Sequence, residues 1–302
     1  MEATELLPAY ESPIVASVCV VIPCFDDGAT LEAAVASAQG QDLPAEVVVV
    51  DDGSNDPATL AALGRLERAG IQVIHQANQG PAPARMAGVQ ATGADYIFPL
   101  DADDLLAPGG LARLAAVLDR HPEAAAAWGS VQCFGALEYV HRSRPCLDPW
   151  QISYQNHLPI GCLYRRSALL EVGGWQLPGG YEDWDLWMTF AERGWKGIGV
   201  SEVTAHYRVR SGRRLSRSSR RHAERYQRLR RRHPRLFARR RGNRRRSPAP
   251  LLLKLALPAI HALPIGPTHK RLLGGVATHI AYRSGRETLL ARYRAHRVLR
   301  AG

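Results

Sequence analysis

Three aspartates stand close together in "FPLDADDLL" (98–106): Asp101, Asp103 and Asp104. Carboxylates at that spacing repel, and each disfavours ionisation of its neighbours unless a positive group sits among them. The stretch is either a solvated turn or the holder of a cation, since hard divalent ions take oxygen ligands. Two further acidic loops end apolar runs: "PCFDDG" (23–28) with Asp26 and Asp27, and "DDGSND" (51–56) with Asp51, Asp52 and Asp56. Any one of these is an ordinary turn, because Asp bonds nearby amides. Three at the ends of parallel strands converge on one edge, and together they read as a metal site. A fourth cluster, Glu182, Asp183 and Asp185 in "YEDWDLW" (181–187), opens a helical pattern. There it either caps and charges the helix start, where backbone N–H groups favour anions, or supplies a base.

These residues need elements to position them. "SVCVVIP" (17–23) and "EVVVV" (46–50) are continuous apolar runs, the pattern of strands buried on both faces. "TLEAAVASAQ" (30–39) sets Leu31, Ala34, Val35 and Ala38 on one helical face, with Thr30 as N-cap. "DPATLAALGRLERAG" (56–70) reads as a helix with Asp56 at the N-cap, Pro57 in first position and Gly70 just past its end. "IQVIH" (71–75), the Ala-rich stretch 82–91 and "DYIFPL" (95–100) continue the alternation, and a helix after Pro108 ends near His121. Such alternation predicts an α/β fold with a mostly parallel sheet and right-handed crossovers. Ligands bind such sheets beyond the carboxyl ends of the strands, where the acidic loops fall.

The net charge of +11 over 302 residues is unevenly spread. From Arg208 to Arg246 there are 19 Arg and one acidic residue, Glu224, a local +18 that leaves −7 for the rest. Five cysteines, with no C-x-x-C pair, predict a reducing, cytoplasmic setting and no structural zinc. The start, "MEATELLPAYESP", lacks the basic residues and apolar run of a secretory signal. No stretch approaches the ~18 consecutive apolar residues of a spanning helix.

In order and spacing, "VCVVIPCFDDGATLEAAVASAQGQ", "VVVVDDGSND", "NQGPAPARMAG", "DYIFPLDADD" and "YEDWDLWMTFAERGW" resemble the family-2 glycosyltransferases of the GT-A fold, a Rossmann-like architecture, over residues 16–210. The resemblance implies a nucleotide-sugar donor, most commonly of uridine diphosphate, a divalent metal (Mn2+ or Mg2+) and inversion at the anomeric carbon. By position it implies that Pro23 and Phe25 line the nucleotide pocket. Asp52 would accept a hydrogen bond from the nucleobase ring N–H, with Asp51 beside it and Gly53 allowing the turn. Asp101 and Asp103 would be the D-x-D pair, Asp103 the metal ligand, with Asp104 supporting ribose or metal. Arg85 would hold the diphosphate or order the D-x-D loop. Asp183 would be the base and Glu182 its neighbour on the acceptor side. Two positions depart from the family's habit: Met86 stands where Asn is common, and Arg210 where His is frequent. His206, nearby, reads as structural.

The chemistry is coherent without the family. A nucleoside diphosphate gains negative charge as it leaves, and a cation held by carboxylates stabilises it. Single-displacement inversion also needs a base opposite the leaving group. Trp175 and Tyr181, in the Gly-rich "GGWQLPGGYED", with Trp184 beside them, are the candidates for stacking on an acceptor sugar, whereas Trp187 and Phe190 fall at core spacing. A non-catalytic sugar-nucleotide or polyanion binder on the same scaffold is the competing class. Asp103 and Asp183 argue against it, since a binder needs no base.

We divide the chain into a catalytic domain, 1–212, and an Arg-rich, then apolar, largely helical extension, 213–302. The extension is open to three readings: a solvated arm, a surface for anionic membrane, or a segment packed on the catalytic body or on a second copy in a homodimer. "PLLLKLALPAIHALPIGP" (250–267), broken by Pro258, Pro264 and Pro267, is too short to span a bilayer yet suits its interface. Specific nucleic-acid binding is not expected. The expected setting is cytoplasmic, peripheral on the inner face of the membrane, with a saccharide or lipid-linked acceptor in cell-surface polysaccharide or glycolipid synthesis.

Overall fold

Four strands, β1 (Val18–Cys24), β2 (Ala45–Asp51), β3 (Gln72–His75) and β4 (Tyr96–Pro99), pair in parallel in the order β3-β2-β1-β4 in this computed structural model, which describes residues 16–159, 161–210 and 221–282. Alternation along β1 decides which layer each residue serves. Val18, Val20 and Ile22 face a core shared with Leu31 and Val35 of helix α1 (Gly28–Gln39), Leu63 of α2 (Pro57–Arg68) and Leu111 of α4 (Gly110–Arg120). Cys19 and Val21 face the other core, with Val89 of α3 (Pro81–Ala91) and the aromatics of α7 (Glu182–Arg193). Burial on both faces is why these strands read as unbroken apolar runs.

Helix α2 forms as its sequence predicts: Asp56 Oδ2 accepts from the Thr59 amide at 2.8 Å, and Pro57 opens the helix. Helix α1 starts earlier than expected. Its N-cap is Asp27, and the Thr30 hydroxyl donates to the Asp27 carbonyl at 3.2 Å. Gly28 permits this, because a Cβ there would lie 2.4 Å from the Thr59 backbone.

The later strands are β5 (Leu105–Leu106), β6 (Ala124–Gly135), β7 (Tyr139–His141), β8 (Leu163–Arg165) and β9 (Lys196–Val209). They extend the sheet to β3-β2-β1-β4-β8-β6-β9-β5, with β7 on β6. Here antiparallel pairs join the mostly parallel sheet. Strand β8 runs antiparallel to β4 and β6, β5 antiparallel to β9, and β6 parallel to β9. Two short helices, α5 (Pro149–Ile152) and α6 (Arg166–Val172), precede α7.

Beyond residue 220 come α8 (His222–Arg232), α9 (Pro234–Ala238), α10 (Arg240–Arg246), α11 (Leu251–Ala262) and α12 (Pro267–Ala281). The division at 212/213 lies outside the described residues. From α8 onward the chain is no solvated arm. Leu229 and Leu236 are buried in the core that holds α7, and the Trp184 and Tyr226 rings sit 5.5 Å apart. Asp185 of α7 receives Arg232 Nε at 2.7 Å and His233 Nε2 at 3.0 Å. Leu253 and Leu257 of α11 form a smaller cluster with Trp150 and Tyr154. Among the described residues no helix is long and apolar enough to cross a membrane.

Candidate active site

The acidic loops do converge. Asp26 Oδ1 accepts the Asn55 and Asp56 amides at 2.8 and 2.9 Å, joining the ends of β1 and β2. The turn after β4 joins them through one side chain: Arg210 reaches Asp27 Oδ1 with Nη2 at 2.6 Å and Asp103 Oδ2 with Nε at 2.7 Å. Asp101 Oδ1 is 2.8 Å from Arg85 Nη2, and Asp104 accepts the Arg208 amide at 2.8 Å. Burial, with repulsion from Asp101, pushes the Asp104 carboxyl up to about 8.

A divalent ion does not fit this donor set. The Asp103 oxygen that the resemblance gives to a metal is held by one guanidinium, and Asp101 by another that is itself buried. Among the described residues, no three His, Cys, Asp or Glu side chains are arranged to hold a metal ion. Of the pair Asp101–Asp103 expected from sequence, Asp103 meets Arg210, which follows β9, and Asp101 meets Arg85 of α3, so both carboxylates face cations that the motif alone does not show.

The nucleotide side is partly as expected. Pro23 is half-buried at the end of β1, and Phe25 stands 44% exposed beside it, an open ring at the mouth of the edge. The two aspartates of "DDGS" point elsewhere. Asp52, buried, accepts from Gln76 Nε2 at 2.7 Å and from the Gln79 and Gly80 amides at 2.8 and 2.7 Å. Asp51 accepts the Ser54 amide at 2.9 Å and meets His75 Nδ1 at 2.9 Å. Burial alone would raise the Asp51 carboxyl, yet these bonds hold it below the usual range. Asp52 thus braces the loop into α3, and Asp51 the turn toward α2 and the end of β3. Gly53 makes the turn at φ +74, where a Cβ would lie 2.9 Å from the Asn78 amide.

On the opposite side, α7 carries Glu182 and Asp183 in its first turn. Asn156 Nδ2 donates to Asp183 Oδ2 at 2.6 Å. Burial, then the neighbouring Glu182 charge, raises the Asp183 carboxyl to about 6. Arg85 couples this helix to the acidic edge: only 3% exposed, it holds Asp101 through Nη2 and Glu182 Oε1 through Nη1 at 3.3 Å. Of the two roles given to Arg85, its burial matches ordering the loop. Met86 beside it packs its sulfur against Gly174, where a Cβ would lie 2.0 Å away. Apolar contact thus replaces the polar partner common at that position.

The aromatic candidates differ in burial. Trp175 is 3% exposed, edge-on to Tyr164 with centroids 5.6 Å apart. Trp184 is 4% exposed, and its indole donates to the Ile152 carbonyl at 2.7 Å. Both fill the core that α7 shares with α3 and so present no face to a sugar. Tyr181 remains half-buried, capping α7 in a left-handed conformation (φ +73) that a non-glycine residue holds only under constraint. The constraint is its hydroxyl's hydrogen bond to His222 Nδ1 at 2.8 Å; burial holds that imidazole neutral, down to about 4. Asn156 and His222 escape any sequence search, because they meet α7 from distant segments and sit in no motif. The signal for Arg210 was present, as the residue that replaces a frequent histidine.

A family model described as "Glycosyl transferase family 2" matches residues 19–172, just over half of the chain, and the chain belongs to that family. An uncharacterized glycosyltransferase of Mycobacterium tuberculosis is 30% identical over 213 residues, 65% of this chain and 87% of that protein. The succinoglycan biosynthesis protein ExoU of Rhizobium meliloti is 38% identical over 99 residues, 32% of this chain and 29% of that protein. Among solved structures, S. aureus TarS 1-349 in complex with UDP-GlcNAc superposes with a TM-score of 0.56 at 18% identity, over 88% of this chain and 73% of that one. The mannosyltransferase PcManGT of Pyrobaculum calidifontis, in complex with GDP-Man and Mn2+, gives 0.54 at 22% identity, over 94% and 86%. The fold is that of the GT-A glycosyltransferases.

Proposed function

We propose that the protein transfers a sugar from a nucleoside diphosphate donor to an acceptor hydroxyl with inversion, Asp183 acting as the base. One observation carries this: a carboxyl raised to about 6 at a helix start, tied through Glu182 and the buried Arg85 to the acidic edge. The acceptor oxygen attacks the anomeric carbon, its proton passes to Asp183, and the bond to the diphosphate breaks, leaving the negative charge on the phosphate. A base near neutrality is both deprotonated and strong enough for that transfer. Asn156 holds Asp183 in place, and Phe25 offers its open ring to the nucleobase. Uridine diphosphate is the nucleotide the resemblance favours, and neighbours in complex with UDP-GlcNAc and GDP-Man support a nucleotide-sugar donor. The partial likeness to a succinoglycan biosynthesis protein supports a role in polysaccharide synthesis, with a saccharide or lipid-linked acceptor as part of the proposal.

Calorimetry of the full chain against UDP- and GDP-sugars, in EDTA and in Mn2+, tests the donor. One sugar nucleotide should bind and be turned over. Binding without any hydrolysis or transfer would favour the non-catalytic binder.

The acceptor side faces an anionic membrane in this proposal. Of eleven large apolar side chains exposed among the described residues, seven lie in α11, α12 or the turn between them. Leu251, Leu252 and Leu255 share one face of α11, and Leu273, Val276 and Ile280 one face of α12. Arg241, Arg245 and Arg246 of α10 are exposed just before them. Apolar area with adjacent cations makes the two signals of reversible anchoring. The full chain should float with vesicles containing phosphatidylglycerol, and Leu251→Asp with Leu255→Asp should abolish it. A stable dimer that ignores vesicles would assign the face to a second copy instead.

A further inference from the structure

We infer that the Arg210 guanidinium occupies the place of a divalent ion at the acidic edge and meets the donor diphosphate directly. The inference rests on the proposal that this edge binds a nucleoside diphosphate.

Its ground is where the strands put Arg210. It follows the last residue of β9, and that strand's end is fixed to the turn after β4 twice: the Arg208 amide donates to Asp104 Oδ1 at 2.8 Å, and Arg208 Nε to the Asp103 carbonyl at 3.0 Å. Two residues on, Arg210 bridges two of the three acidic loops, with Nη2 on Asp27 and Nε on Asp103. A metal bridging a phosphate to Asp103 would need the Oδ2 atom that Nε holds at 2.7 Å. Ion and guanidinium compete for one position.

The chemistry of the group suits the task. A guanidinium is charged at every physiological pH, and its planar fork of five donors matches phosphate oxygens in pairs. Arg210 stays 45% exposed while its two carboxylates fix its orientation, so it is preorganised and still reachable. Arg85 cannot serve instead, because it is 3% exposed and turned toward Asp101 and Glu182. As the diphosphate leaves, a fixed cation at its oxygens stabilises the growing charge without changing any ligand shell.

Free UDP and GDP, titrated calorimetrically into the full chain in EDTA and then in Mn2+, test this together with Arg210 variants. The expected result is binding in EDTA within about twofold of that in Mn2+. Arg210→Ala should weaken it by about ten- to hundredfold, the scale of a lost charge-assisted contact, and Arg210→Lys by less. Arg210→His should bind weakly in EDTA and recover in Mn2+. Melting curves of the three variants show that the fold is kept. Binding seen only in Mn2+, and unchanged in Arg210→Ala, makes Arg210 a strut that swings aside and overturns the inference while leaving the donor proposal intact. No binding of either nucleotide in either buffer overturns both.

Discussion

The Asp183 carboxyl is the sharpest point at which the proposed chemistry can be tested. Burial and Glu182 raise it to about 6, and a base acts only when deprotonated. The ionised fraction is then about one in eleven at pH 5 and about ten in eleven at pH 7. Transfer under single-turnover conditions should therefore climb roughly tenfold between those values and level off above pH 7. Removing Asn156 moves that limb. Its Nδ2 donates to the charged form at 2.6 Å, and losing about 1.4 kcal/mol of preference for the anion raises the carboxyl by about one unit. In Asn156→Ala the limb should shift from about 6 toward about 7, with the plateau nearly unchanged. Asp183→Asn should cut turnover about a hundredfold or more while leaving nucleotide affinity as it was. The assay is radiolabelled sugar transfer or donor hydrolysis in rapid quench, with donor affinity measured separately. A profile flat from pH 5 to 7, or an Asp183→Asn variant working near the wild-type rate, removes Asp183 from the mechanism.

Arg85→Met leaves Asp101 and Glu182 without their shared buried cation and should destabilise by about 3 kcal/mol or more, read from urea midpoints. Asp185→Asn should cost about 2 kcal/mol at pH 7, since Arg232 on its partner side is itself 40% exposed. Burial would raise the Asp185 carboxyl, but bonds from His233 and Arg232 hold it below the usual range. A carboxyl lowered on folding stabilises above its unfolded pKa. The difference between the two proteins should therefore vanish in acid, as the pH falls through the folded value. A chain ending at Gly212 should precipitate or melt well below the full chain, because Leu229 and Leu236, at 0% and 2% exposure, leave the core with it.

What the sequence made legible was whatever depends on local pattern. Strands buried on both faces read as apolar runs, and Asp56, Pro57 and Gly70 punctuate α2 where the structure ends it. The convergence of "PCFDDG", "DDGSND" and "DADD" also followed, since parallel strands bring their carboxyl ends to one edge. What escaped was every property set by contacts distant in sequence. Nothing in "DDGS" says that Asp52 is already engaged by Gln79 and Gly80, and nothing in "YEDWD" says that Asp185 waits for Arg232 and His233. The tryptophans show the same limit. Trp175 and Trp184 sit in a glycine-rich loop and at a helix start, contexts that favour exposure, but Tyr164 of β8 packs on Trp175, and Tyr226 of α8 and the Ile152 carbonyl at the end of α5 meet Trp184.

The basic segment then has two physical jobs, divided along its length. Its strand end brings the Arg210 guanidinium to Asp27 and Asp103 and the Arg208 amide to Asp104 at the acidic edge. Arg232 and Arg240 clamp the segment to the body, through Asp185 and through the Ser153 hydroxyl at 2.8 Å. These residues answer charges and polar groups of the body: Arg210 pairs with Asp27 and Asp103, and Arg232 with Asp185. Among the described residues, Arg231, Arg235, Arg239, Arg241, Arg245 and Arg246 are exposed, and the last three lead directly into the apolar faces of α11 and α12. Charge reversal of Arg241, Arg245 and Arg246 should therefore weaken vesicle binding in a salt-sensitive way while leaving melting and nucleotide affinity unchanged. Charge reversal at Arg232 should do the opposite: lower the melting temperature through Asp185 and leave the vesicle interaction of the folded protein intact. If both sets of substitutions moved both readouts together, the segment would act as one unit, and the division between clamp and surface would be wrong.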